Sequence, residues 1–175
     1  MIEQLFPVPL YSAQVDKFDA IQHEITTGVK NSKFSYKPEW GRTHYLSDPT
    51  FSENWLVKHS CTTLLSEITN HVDKYKDSLG ITGDCKVKES WVALFKEHNY
   101  GHVHDHSDNQ ISGVYYFKVK GSTGNIFFTS KRSWQGRVEA SSREGLLLLF
   151  PSDLKHGITT NTSTVSRISI SFNLA

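Results

Sequence analysis

The stretch YGHVHDHSDNQISGVYYFKVK, residues 100–120, places histidines at alternate positions directly before a strong β-strand pattern. His102, His104 and His106 share a parity, so an extended backbone puts their side chains on one face. Residues i and i+2 lie ~6.6 Å apart at the usual rise of ~3.3 Å, which lets two imidazoles bind one metal ion at ~2.0–2.1 Å. The spacing therefore predicts a metal site, unless this run is an exposed loop that takes up zinc or nickel adventitiously.

A third metal ligand has to come from another part of the chain. His156 follows the apolar run Leu146–Phe150 and is the natural candidate. Eleven residues later, Arg167 and Ser169 share one face of a strand whose other face is apolar. A guanidinium on a buried face needs a partner, and it is suited to bidentate capture of a carboxylate with a serine hydroxyl beside it. An ion pair within the protein, or exposure to solvent, is the alternative.

The first part of the chain has the pattern of helices. Apolar residues at steps of three and four predict a helix at about Val15–Val29 and a longer one at Asn54–Leu79. We expect Ser52 to cap the second helix and Gly80 to end it in the left-handed conformation.

The second part has the pattern of short strands separated by glycine and proline turns, which is typical of a sandwich or barrel. The predicted strands are Val87–Glu97, Ile111–Lys120, Asn125–Ser130, Gly145–Phe150 and Val165–Phe172. We therefore predict a single α+β, mainly β domain over residues 1–175, with a helical N-terminal layer (1–83) and a β core (84–175).

Composition argues against several classes of protein. With 19 basic and 18 acidic residues the net charge is +1, which provides no general attraction to nucleic acid or an anionic membrane. The longest apolar run, Leu146–Phe150, is far short of the ~20 residues of a membrane helix. The two cysteines, Cys61 and Cys85, are too few for a disulfide framework. We expect a reduced, cytoplasmic protein without an export signal.

Four motifs in order resemble those of the 2-oxoglutarate- and Fe(II)-dependent oxygenases of the small double-stranded β-helix type. The motifs are HxH (104–106), SGVYYF (112–117), LLLLFPSDLKHG (146–157) and RISISFN (167–173). The resemblance covers most of the chain and is strongest from Trp91 onward. It implies a double-stranded β-helix, or jelly roll, supported by N-terminal helices.

The resemblance also implies roles for individual residues. The SGVYYF strand sets the register, which makes His104 and His106 the proximal metal ligands and His156 the distal one. His102 would then be an extra histidine beside the site. The wider superfamily has HxD or HxE where this chain has His106, so a carboxylate from Asp108, brought in by a turn, or from Asp105, which has the wrong parity in an extended segment, is an alternative ligand. His102 is a further alternate ligand. A set of three neutral imidazoles leaves open positions on the metal but weakens its identification as iron.

The co-substrate 2-oxoglutarate is implied in the same way. Arg167 and Ser169 resemble the RxS pair that holds its distal carboxylate, and Tyr116 lies where many such enzymes send a tyrosine to that carboxylate. No catalytic side chain beyond the metal centre is implied.

The implied activity is a non-haem oxygenase that uses Fe(II), 2-oxoglutarate and O2. It would oxidise an unidentified substrate, with hydroxylation as the default outcome, and release succinate and CO2. The alternative is a metal-binding jelly-roll or cupin-like protein without 2-oxoglutarate turnover. We expect no membrane partner and see no indication of nucleic acid, while an exposed sheet face would allow a homodimer.

Overall fold

The computed structural model describes residues 7–36, 43–47, 50, 52–130 and 136–175. Three helices are present in these ranges: α1 (Phe18–Lys30), α2 (Trp55–Lys58) and α3 (Thr62–Leu79). The strands of the same ranges are β1 (Tyr11–Gln14), β2 (Ser35–Tyr36), β3 (Tyr45–Leu46), β4 (Val87–Phe95), β5 (Gly101–His104), β6 (Ile111–Lys118), β7 (Ile126–Thr129), β8 (Arg137–Ala140), β9 (Leu146–Pro151), β10 (His156–Ile158) and β11 (Arg167–Leu174).

The strands form two antiparallel sheets between which the chain alternates. The large sheet has the order β1-β9-β6-β11-β4-β3-β2 and the small sheet the order β5-β10-β7-β8. From β4 onward the chain passes from the large sheet to the small one and back three times. This winding confirms the predicted double-stranded β-helix with supporting helices.

Hydrophobic clusters of the described residues lie on both faces of the large sheet. One is shared with the helices and includes Ile21, Leu64 and Ile170. Another lies between the sheets and includes Phe128 of the small sheet and Phe150 of the large one, whose rings meet edge to face at 5.0 Å. Because both faces of the large sheet are covered, its central strands are buried on both sides.

The strand β6 shows why its motif contains a glycine. A Cβ atom at Gly113 would lie 2.3 Å from the ring of Phe172 on β11 and 2.9 Å from the Leu149 side chain on β9. These three residues are direct neighbours across the sheet, since Gly113 pairs with both Phe172 and Leu149. Glycine therefore lets the large Phe172 ring pack on the helical layer.

The predicted helix at Asn54–Leu79 is two helices. The chain turns between α2 and α3 at Ser60, whose φ is 54°, and α2 buries Trp55 and Leu56 while Val57 is exposed. The Ser52 cap is wrong as well, because Asn54 accepts the hydrogen bond from the Val57 amide at the start of α2. The Gly80 prediction is confirmed, with φ of 66° in the left-handed region.

The N-terminal part of the chain also contributes strands. β1 pairs with β9, and β3 pairs with β4, so both sides of the large sheet are extended by residues that precede α2. None of the helices in the described ranges has the length and apolar character needed to span a bilayer.

Candidate metal centre

Three histidines meet where β5 and β10 lie side by side. His104 ends β5 and pairs in register with His156, which begins β10, and His106 follows two residues after β5. One ring nitrogen from each of the three lies within 4.8 Å of the others. In the described part of the chain, this is the one group of three or more His, Cys, Asp or Glu side chains placed to hold a metal ion. The two imidazoles of the HxH motif lie close together, with ring centroids 5.0 Å apart, although only His104 belongs to a strand, and the paired strand β10 supplies the third imidazole.

Backbone carbonyls fix the tautomers of two of these imidazoles. His104 Nδ1 lies 2.9 Å from the carbonyl oxygen of His102, and His156 Nδ1 lies 2.9 Å from that of Leu154. Because a carbonyl only accepts, each Nδ1 carries the proton and donates, which makes each Nε2 the unprotonated nitrogen that can bind a metal ion. Such a bond to the second ring nitrogen is the usual support of a metal-binding histidine.

The environment also keeps His156 neutral. Burial, reinforced by the charge of the neighbouring His104, lowers the pKa of His156 to about 3, although its bond to the Leu154 carbonyl acts in the opposite direction. The ring packs edge-on against Phe150 at 4.9 Å, which removes that side from water. A neutral imidazole is the form that binds metal ions.

The other candidate ligands lie outside this group. His102 is exposed and its ring packs edge-on against Tyr100, and Asp108 is exposed in the turn before β6. Asp105 accepts a hydrogen bond from the Ser107 hydroxyl, and its charge raises the pKa of His156 without joining the cluster. The geometry therefore brings together three imidazoles and no carboxylate. The roles of these residues as ligands stay predictions.

A fully buried arginine lies deeper between the sheets. The Cζ atom of Arg167 is 5.1 Å from the ring centroids of both Phe95 and Tyr116, so two aromatic rings flank the guanidinium. Its Nε, Nη1 and Nη2 atoms make no hydrogen bond of normal geometry with the described residues, and the polar group that interacts with the guanidinium is the Tyr116 hydroxyl, which likewise has no hydrogen bond of normal geometry. Burial lowers the pKa of Arg167 and raises that of Tyr116, while the guanidinium opposes the rise at Tyr116. Of the alternatives for Arg167, exposure is wrong, and the described residues provide no carboxylate pair.

A single cavity connects the arginine to the three histidines. Its lining includes His104, His106 and His156 together with Arg167 and Ser169. Aromatic side chains form much of its wall, and the ring of His44 stacks on Phe95 at 4.3 Å at its edge. The residues that line the cavity in the described ranges include no Asp or Glu. An anion with one end at the metal centre and one at Arg167 therefore meets no like charge here.

Sequence reasoning missed one side chain of this site. Phe95 pairs with Arg167 across β4 and β11, so its ring is beside the guanidinium only because of the strand register. The apolar pattern of β4 indicates that Phe95 is buried, but nothing in one sequence indicates its cross-strand neighbour.

Comparison with known proteins agrees with this geometry. A family model described as "Putative 2OG-Fe(II) oxygenase" matches residues 89–173, the segment that carries the three histidines and Arg167. A search of curated protein sequences found no match to this chain.

Several solved structures share the fold. A prolyl-4-hydroxylase from Pseudomonas putida matches with a TM-score of 0.68 at 13% identity, covering 96% of this chain and 94% of that one. The α-ketoglutarate-dependent epimerase SnoN from nogalamycin biosynthesis matches with a TM-score of 0.76 at 10% identity, over 96% and 78%. HygX from Streptomyces hygroscopicus, with nickel and 2-oxoglutarate bound, matches with a TM-score of 0.67 at 9% identity, over 96% and 83%.

The structural matches establish the fold, and the family match covers the segment in which the fold places the histidine cluster and the buried arginine. Fe(II) and 2-oxoglutarate are the cofactor and co-substrate of that family. Residues 89–173 therefore match the 2-oxoglutarate- and Fe(II)-dependent oxygenase family, and the described chain has the fold of solved structures of such enzymes.

Proposed function

We propose that the protein oxidises its substrate at a three-histidine iron centre, with hydroxylation as the outcome. His104, His106 and His156 are the proposed ligands to Fe(II). Arg167, Ser169 and Tyr116 are the proposed contacts to the distal carboxylate of 2-oxoglutarate.

The observation that carries this proposal is the buried guanidinium of Arg167, which makes no hydrogen bond of normal geometry with the described residues. A buried unpaired cation is costly, and it persists where a ligand completes its interactions. The guanidinium shares one cavity with the histidine cluster, so a molecule with an anionic end and a metal-chelating end fits both features. A metal-binding jelly roll without 2-oxoglutarate turnover leaves the unpaired cation without an explanation, and we do not favour it.

The side chains of the site are preorganised for this ligand. The rings of Phe95 and Tyr116 both lie 5.1 Å from the Arg167 Cζ atom and restrict the guanidinium, so that its donors need little reorganisation to meet a carboxylate. The Ser169 hydroxyl lies on the same face two residues along β11, where it can donate to the same carboxylate. The carbonyls of His102 and Leu154 hold two imidazoles with Nε2 toward the metal position.

The bound Fe(II) and 2-oxoglutarate would supply the oxidising power, with succinate and CO2 released. The protein orients both, and Phe150 and Trp91 shield His156 and His106 from part of the solvent. Structural relatives include proteins described as a prolyl-4-hydroxylase, an epimerase and a carbocyclase. A substrate screen should therefore detect ring closure and epimerisation as well as added oxygen.

Anaerobic reconstitution tests the proposed site. Fe(II) is added to the metal-free protein, 2-oxoglutarate follows, and the visible spectrum is recorded. We expect a charge-transfer band that appears only when both are present. If Fe(II) is retained and no band develops on adding 2-oxoglutarate, the proposal is wrong.

The ligand set has a matched pair of variants, because His102 and His104 lie on the same face of the same strand. We expect His104→Ala to weaken Fe(II) binding by more than about 100-fold, since even loss of outer-sphere support costs roughly 10–100-fold. His102→Ala should bind Fe(II) like the wild type. Calorimetric titration under anaerobic conditions measures both, and equal affinities in the two variants would contradict the assignment of His104.

We also propose that the protein works in a reduced, cytoplasmic setting. Both cysteines are free thiols, and burial raises the pKa of Cys61 to about 12, so that this thiol is unreactive. Localisation of a tagged chain tests this. The homodimer stays a prediction, which size-exclusion chromatography with light scattering addresses.

A further inference from the structure

A row of polar side chains crosses the large sheet beside the histidine cluster, on the face that lines the cavity. Glu89 of β4 pairs in register with Asn173 of β11, and Asn173 pairs with Ser112 of β6. Ser152 follows the end of β9, next to Ser112. Asn173, Ser112 and Ser152 are each at most 2% exposed. We call these four residues the polar row.

The polar row is joined by three short hydrogen bonds. Asn173 Nδ2 donates to Glu89 Oε1 at 2.7 Å, Ser112 Oγ lies 2.7 Å from Asn173 Oδ1, and the two serine hydroxyls are 2.9 Å apart. The carboxylate only accepts, so it orients the Asn173 amide and turns Oδ1 toward Ser112. Ser112 has a single proton, which it gives to Oδ1, and Ser152 therefore donates to Ser112. Each donor in the row thus has one defined direction.

The polar row connects at both ends to the turn that carries His106. The His106 amide donates to the Ser152 carbonyl at 2.8 Å, and the Asn109 amide donates to the His106 carbonyl at 2.9 Å. The Asn109 side chain then donates back to Glu89 Oε1 at 3.5 Å. The bonds therefore form a closed ring through the backbone of His106.

His106 needs such support more than its two partners. His104 and His156 belong to paired strands, whereas His106 lies beyond the end of β5 in the segment that leads into β6. The ring just described replaces the missing ladder of hydrogen bonds around His106.

We propose that Asn173, oriented by Glu89, is a positioning residue that sets the place of His106 at the metal centre through Ser112 and Ser152. This inference rests on the proposed function, since it takes His106 to be a metal ligand. It predicts that the direction of the hydrogen bonds, and not merely the volume of the side chains, controls metal affinity.

The test uses an isosteric substitution and its compensation. Asn173→Asp keeps the shape but sets a second carboxylate against Glu89, so the row loses its donor. We expect Co(II) to bind about 10–100-fold more weakly, the range for lost outer-sphere support, and its visible ligand-field spectrum to change. In the double variant Glu89→Gln/Asn173→Asp, the new amide donates to the new carboxylate, which still accepts from Ser112. The Co(II) affinity should return to within about 3-fold of the wild-type value, and the spectrum should again resemble that of the wild type.

Two further variants keep the test decisive. Ser112→Ala removes the middle hydroxyl and should weaken Co(II) binding even if Asn173→Asp does not fold. Ser171→Ala removes another hydroxyl from the same face of β11, outside the row, and should bind Co(II) like the wild type. Thermal unfolding of each metal-free variant separates loss of stability from loss of metal affinity.

The outcomes distinguish this inference from the proposed function. A wild type that binds no Co(II), or a His106→Ala variant that binds it as tightly as the wild type, would overturn both. If His106→Ala weakens binding but Asn173→Asp and Ser112→Ala change only the melting temperature, the polar row is structural and the inference alone fails. Failure of the double variant to recover binding would likewise overturn the proposed direction of the bonds.

Discussion

The buried charge of Arg167 favours the binding of an anionic ligand but lowers the stability of the fold. Its guanidinium is fully buried and makes no hydrogen bond of normal geometry with the described residues, which costs the fold on the order of 1–3 kcal/mol or more. The rings of Phe95 and Tyr116 offset part of this cost, by up to about 2 kcal/mol. The balance suggests that this arginine is kept for a ligand and not for the stability of the fold.

The substitution Arg167→Met removes the charge and keeps much of the apolar stem. We expect the ligand-free protein to gain about 1 kcal/mol in free energy of unfolding, because an unpaired buried cation is lost. We expect 2-oxoglutarate affinity to fall by about 100-fold or more, the usual cost of removing one partner of a buried charge pair. Denaturant unfolding and calorimetric titration measure the two effects. A variant that is less stable and still binds 2-oxoglutarate would show that Arg167 serves the fold.

Among the elements, α3 depends on a side chain from another helix. Its first residues follow Cys61, whose side chain makes no capping bond. Glu24 of α1 takes that place: its carboxylate accepts from the Thr63 amide at 3.0 Å and the Thr63 hydroxyl at 2.6 Å. A carboxylate at this end also interacts favourably with the helix dipole. We expect Glu24→Ala to lower the free energy of unfolding by about 1–2 kcal/mol. Glu24→Gln, which keeps an acceptor oxygen, should cost less, and equal losses would contradict a capping role.

The hydrogen bond between His71 of α3 and Tyr11 of β1 is sensitive to pH. The ring of His71 on α3 is buried, its Nδ1 is 2.8 Å from the Tyr11 hydroxyl of β1, and its Nε2 is 3.9 Å from Glu67 Oε2. Burial and the charge of Lys74 lower the pKa of His71 from its usual 6.5, against the opposite effect of Glu67 and Asp16. The folded state therefore favours the neutral ring. The contribution of His71 to the free energy of unfolding is fully present above pH 6.5 and is lost as the pH falls below that value.

We expect the free energy of unfolding to fall between pH 6.5 and 5, by at most about 1.4 kcal/mol per pH unit for this one group. The variant His71→Gln cannot titrate, so its profile should be flatter than that of the wild type over the same range. Urea unfolding at several pH values measures the difference. Parallel profiles would mean that His71 does not contribute to the pH dependence.

Some strands can be predicted from a single sequence and others cannot. The long strands β4, β6, β9 and β11 are readable because both of their faces are buried and their apolar runs are continuous. The strands β5 and β8 are short, lie at the edges of the small sheet and are largely exposed, so their patterns carry little hydrophobic signal.

The candidate site likewise has features that could be predicted from the sequence and features that could not. The position of Arg167 and Ser169 on one face follows from local strand geometry and could be predicted. His106 lies beyond the end of β5, so strand parity does not explain why its ring meets that of His104. The enclosure of Arg167 by Phe95, and the link from Glu89 through Asn173 to His106, depend on cross-strand register. Register is set by the whole sheet, so no local pattern contains it.

At the scale of the whole molecule, the proposed ligand joins the two sheets. The small sheet supplies His104 and His156, and the large sheet supplies Arg167, Ser169 and Tyr116. A metal ion contacts only the histidine side, whereas 2-oxoglutarate needs the metal at one end and the guanidinium at the other. We therefore expect the metal ion to stabilise the fold by itself, and 2-oxoglutarate to stabilise it only when the metal ion is bound.

We expect Co(II) at about 100 times its Kd to raise the free energy of unfolding by about 2.7 kcal/mol, and 2-oxoglutarate to add to this only when Co(II) is present. Hydrogen exchange should then slow in β10 when Co(II) binds, and in β11 only when both ligands bind, because β11 carries the anchor and β10 the metal ligand. In Arg167→Met the first effect should remain and the second should vanish. If 2-oxoglutarate protects β11 equally well without the metal, the guanidinium side binds it alone, and the two sheets are not coupled through one shared ligand.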